Sequence, residues 1–89
     1  MIDRQLREKL EGLQAELRRA ESTDVREREM LRGLEADVEG LLALEDDQPR
    51  QYESVGGRLR EAVARLEASH PEATMLMRQV IDSLAYMGI

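Results

Sequence analysis

IDRQLREKLEGLQAELRRA, residues 2–20, places Ile2, Leu6, Leu10, Leu13, Leu17 and Ala20 at successive spacings of 4, 4, 3, 4 and 3. Such spacing draws one apolar stripe along an α-helix and makes no sense on a strand, whose faces alternate every second residue. Arg and Glu interleave on the other faces at helical neighbour distances, and Gly12 inside the segment is a modest local cost. A single stripe requires a partner helix, so this stretch predicts helix packed on helix from the start of the chain.

Working outward, the tripeptide Ser22-Thr23-Asp24 interrupts the pattern with residues that start helices, and Asp24 with Glu27 fits an acidic capping box. The second helix is expected over 25–45, with Leu31, Leu34, Val38, Leu41 and Leu42 on one side, and a connection this short folds helices one and two into an antiparallel hairpin. The polar stretch EDDQPRQYE around Pro49 predicts a loop over 46–53. A third helix is expected over 54–69 with Ser54 as its cap; Gly56-Gly57 leaves Arg58 as an alternative start. Its stripe is read from Tyr52 onward through Val55, Leu59, Ala62, Val63 and Leu66. A fourth covers 71–87, with Ala73, Leu76, Met77, Val80, Ile81, Leu84 and Met87 on one face and Gly88 placed to end it. The fold class is therefore all-α: two antiparallel helical hairpins forming one small bundle over 1–89, completed or extended by dimerisation.

Composition agrees. Tyr52 and Tyr86 are the only aromatics, and the apolar mass is Leu, Ala, Val, Ile and Met. A chain of 89 residues buries only about 60% of the surface it exposes when unfolded, so its core is thin and association is a natural supplement. The absence of cysteine excludes disulfides, thiolate nucleophiles and Cys-ligated metals. Charges sit where a signal peptide needs its apolar core and the longest apolar run is Leu41–Leu44, so a soluble cytoplasmic protein with no membrane partner is expected.

The net charge of -6 is local. Residues 1–21 carry five charges of each sign, whereas 22–47 carry three basic and nine acidic residues. No basic face exists for nucleic acid, and the one place that imitates a helix-turn-helix, the 3–4 junction, offers a would-be recognition helix with Arg78 as its only basic residue. The acidic Glu45-Asp46-Asp47 lacks the alternating oxygen ligands and turn glycine of a calcium loop. Catalysis has little to use: one histidine, isolated serines at positions 22, 54, 69 and 83, no nucleophile elbow and no phosphate loop. A non-enzymatic chain without cofactor is the expectation.

His70 precedes Pro71, which disfavours helical geometry at the residue before it and is itself favoured as a first helical residue. His70 is thus expected to end helix three and cap helix four; the competing arrangement is a capping box from Ser69 to Glu72. Glu67-Ala68-Ser69-His70 is also a Glu-x-x-His spacing, one helical turn apart as in carboxylate-bridged metal bundles, and Glu67 with His70 doubled across a dimer axis is the candidate metal site.

RLREAVARLEASHPEATMLMRQVIDSLAYMGI, with its LEASHP core and MGI ending, resembles a family of short bacterial proteins classed as a domain of unknown function; LREKLEGLQAEL near the start is similar to the family's opening helix. Leu66 stands where that family carries an aromatic in an FEASHP-type segment. The resemblance implies a small all-helical protein and lends no activity, cofactor or catalytic residue.

Two outward surfaces remain for partners, either a second copy or another protein. Gly33, Ala36, Gly40 and Ala43 form a small-residue line on helix two, away from Leu34 and Leu41, along which another helix can approach closely. Met75, Gln79 and Tyr86 lie off the main stripe of helix four, to be covered by a partner or by the bundle itself; either arrangement expects Met75 to be shielded.

Overall fold

A computed structural model describes residues 3–46 and 48–88; Ile2, expected to open the first stripe, and Asp47 of the acidic loop lie outside them. Four helices follow one another, α1 (Arg4–Arg19), α2 (Val25–Leu42), α3 (Pro49–Leu66) and α4 (Pro71–Tyr86), with no strand among the described residues. Each packs on its neighbours in the chain, and α1 packs on α4, which closes a ring with α1 opposite α3 and α2 opposite α4. The short connections make every neighbouring pair antiparallel, and the extents of 37 × 21 × 20 Å are those of an up-down-up-down four-helix bundle.

Local chemistry explains each boundary. Asp3 caps α1, its carboxylate accepting from the backbone N–H of Gln5 at 2.7 Å and Leu6 at 3.4 Å. Asp24 caps α2 through Arg26 N–H at 2.8 Å and Glu27 N–H at 3.1 Å. The reciprocal half of the expected capping box is absent: Ser22 Oγ takes the Asp24 N–H at 3.1 Å, and the Glu27 carboxylate turns elsewhere. Gly88, at φ +83°, ends α4 in the left-handed conformation expected of it.

Two arginines close helix ends across the first hairpin. Arg32 Nη2 of α2 donates to the carbonyls of Leu17 at 2.8 Å and Ala20 at 2.6 Å, acceptors in the last turn and cap of α1. Arg7 Nη2 of α1 donates to Leu42 O at 3.2 Å, at an α2 end that has no basic residue of its own. Arg32→Ala is expected to lower stability by about 1 to 2 kcal/mol, read by urea titration, because charge-assisted bonds to backbone carbonyls are lost; a loss under about 0.3 kcal/mol would show that water replaces the guanidinium without penalty.

Helix bounds depart from expectation in the middle of the chain. α2 ends at Leu42 and not at Glu45, and α3 begins at Pro49, inside the expected 46–53 loop, so the connection is 43–48 and Ser54 is not a cap. Pro49 is the first residue of α3, where its missing N–H and fixed φ favour the helix, and Gln48 O accepts from Gln51 N–H and Tyr52 N–H. Tyr52 and Val55 are both buried, three residues apart on one face, and this burial carries the helix through Gly56-Gly57. Gly56 packs where a Cβ would stand 3.4 Å from Leu84 Cδ1, which makes the first glycine a contact surface and not a break.

α3 stops at Leu66, three residues before the expected end, and His70 is the N-cap residue of α4 with Pro71 following. Its N–H donates to Leu66 O at 2.7 Å and its carbonyl accepts from Thr74 N–H at 3.1 Å, while its imidazole makes no cap bond. The Ser69–Glu72 capping box does not form, since Ser69 lies in the turn before the cap.

The core is a column of Leu6, Leu10, Leu13 and Leu17 from α1 and Leu31, Leu34, Val38 and Leu41 from α2. Facing it are Tyr52, Val55, Leu59, Ala62 and Leu66 from α3 with Ala73, Met77, Val80 and Leu84 from α4. Thr74 joins it as the one buried polar side chain among the described residues, its Oγ1 donating to Pro71 O at 3.0 Å.

Candidate functional site

Because the bundle alternates direction, the α1–α2 and α3–α4 connections meet at one end. Glu27, in the first turn of α2, sits between them. Its Oε1 accepts from Ser22 Oγ at 3.1 Å and lies 3.4 Å from His70 Nε2, and its Oε2 accepts from Ser69 Oγ at 3.3 Å. The His70 side chain is only 14% exposed. One carboxylate thus ties both connections together, using side chains 42 residues or more apart in sequence for two of its three partners. The answer to what His70 does lies here: it caps α4 with its backbone and packs its ring against Glu27.

Glu67 is not part of this group. Its carboxylate receives Arg78 Nη2 at 2.7 Å, from the middle of α4, so Glu67 and His70 engage different partners despite their Glu-x-x-His spacing. A metal ion held by the two would have to break both pairs, and no group of three or more His, Cys, Asp or Glu side chains suited to a metal is found among the described residues. Arg78, the single basic residue of α4, is committed to the same ion pair.

On α2 the small-residue line faces outward: Gly33, Ala36 and Ala43 are exposed, Gly40 is half-buried, and Ala43 is the cap residue after the helix rather than an interior position. A Cβ at Gly40 would stand 3.4 Å from Gln51 Nε2, whereas one at Gly33 would meet nothing within 4 Å. Gly33 borders a groove between α2 and α3 together with Met30, Leu34 and the Arg58–Asp37 pair, 2.7 Å apart. Glycine inside a helix costs roughly 1 kcal/mol against alanine, and nothing within the chain requires it here. Gly33→Ala should accordingly raise the unfolding free energy of the monomer by about 0.5 to 1 kcal/mol in chemical denaturation; a destabilised variant would reveal a backbone constraint at this turn of α2.

On α4, Met75 is 52% exposed and Tyr86 92% exposed, with Gln79 exposed between them. The expectation that Met75 is shielded is not met within this chain. In a ring of four, α4 touches α1 on one side and α3 on the other, and its outer face is left to water. Gln79 borders the α1–α4 groove with Gln5, Lys9, Gly12 and Leu76, and further along the same groove Tyr86 and Met87 flank Lys9 and Ser83. Lys9 Nζ donates to Ser83 Oγ at 2.9 Å, which fastens the seam. Ser83 lies within α4, whose backbone N–H groups at that depth bond to preceding carbonyls.

Sequence reading missed the Ser22–Glu27–Ser69–His70 group. Its signal was available in part: an up-down bundle gathers alternate connections at one end, and both held polar residues. The two surfaces it did single out, on α2 and α4, are on diagonal helices and belong to different sides of the molecule.

These features define a small all-helical bundle domain with two outward faces and a polar junction, and with no helix among the described residues long and apolar enough to cross a membrane. Residues 6–89 match the family model described as Domain of unknown function (DUF4404), and the chain belongs to that family. No curated protein and no solved structure matches it.

Proposed function

We propose that this chain is a non-enzymatic protein–protein interaction module of the bacterial cytoplasm, working through the outer face of α4 in self-association or in docking to another protein. One observation carries the reading: of the four large apolar side chains left exposed among the described residues, Met75, Tyr86 and Met87 belong to α4 and the residue after it. A chain with only two aromatics and a thin core places one of those aromatics almost wholly in water. Tyr and Met are the side chains that protein interfaces favour, the first for area with a hydroxyl, the second for adaptability.

Light scattering across a concentration series tests it. The expected result is a mass approaching twice 10.2 kDa as concentration rises. The double variant Met75→Glu/Tyr86→Glu is expected to stay at the single mass, with an unchanged helical circular dichroism spectrum. A parent protein that is monomeric throughout removes self-association and moves the search to heterologous partners, by pull-down from the native cell. Recovery of the same partners by parent and double variant would remove the α4 face from the reading.

A further inference from the structure

We draw no further inference here: the strongest candidate, the groove between α2 and α3 bordered by Met30, Gly33, Leu34 and the Arg58–Asp37 ion pair, is an unpartnered face with a small-residue line beside it, and nothing in the structure shows what covers it.

Discussion

Leu13→Ala is expected to remove about 3 kcal/mol of stability, the largest single effect on this fold. Leu13 is fully buried in the middle of the α1 stripe, with Leu10 and Leu17 on the turns to either side. Truncation deletes three heavy atoms' worth of apolar contact and leaves a void that a ring of four helices, each held by two neighbours, collapses only in part. For a chain of this length total stability is of the order of 5 to 13 kcal/mol, so the loss is roughly a quarter to three fifths of it. Urea denaturation followed by helical circular dichroism measures the change as a lower midpoint at unchanged slope, with a thermal midpoint lowered by roughly 15 °C. A loss below about 1 kcal/mol would mean that α1 is not packed in the core as described, since only surface or well-relaxed sites are so tolerant.

Glu27→Ala is expected to cost about 2 kcal/mol, an unusually large figure for a residue whose side chain retains 29% exposure. The removed carboxylate leaves Ser22 Oγ and Ser69 Oγ without the acceptor they share, and takes away the group that lies 3.4 Å from His70 Nε2, where water has little access to the imidazole. Access of water to the exposed Ser69 keeps the figure well below the sum of two fully buried charge-assisted bonds. Glu27→Gln retains one carbonyl oxygen and is expected to lose about half as much. The cycle formed with His70→Ala separates this group from simple helix-end effects: a coupling of about 1 kcal/mol places the imidazole and carboxylate in one network, and additivity within about 0.3 kcal/mol would dissolve it.

The sequence was legible where one physical rule acted alone. Leu6, Leu10, Leu13 and Leu17 follow helical spacing without competing signals, and all four are buried. The α3–α4 break was legible for a similar reason, because the restriction that Pro71 places on His70 is local backbone sterics. The start of α3 was misread where two rules conflict. Pro49 and Gly56-Gly57 argue for a loop, while burial of Tyr52 and Val55 argues for a helix; Pro49 is at home as the first helical residue, and packing against the rest of the bundle outweighs the cost of about 1 kcal/mol at each interior glycine. Thr74 was invisible as a core residue because its hydroxyl is satisfied by its own helix, at Pro71 O, a bond that sequence pattern does not register.

The arginines were hidden for a different reason. Arg7 reads as one of the solvated Arg and Glu neighbours of the first helix, and Arg32 meets Glu35 at 2.7 Å, yet both also serve carbonyls on the opposite helix of the hairpin. Such bonds depend on where two helices end relative to one another, which spacing within either helix does not encode. The same holds for Met75 and Tyr86: the sequence places them off the α4 stripe, but only the closed ring shows that no helix of this chain comes to cover them.

The ring also orders events in time. Three of its four seams, α1–α2, α2–α3 and α3–α4, join helices consecutive in the chain, and each closes across a connection of only a few residues. Zipping such local hairpins is fast, since little chain entropy is lost before contacts form. The α1–α4 seam alone brings together helices from opposite ends of the sequence, including Lys9 with Ser83. It closes the longest loop of the ring, and opening it alone would leave α1 held only by α2 and α4 held only by α3.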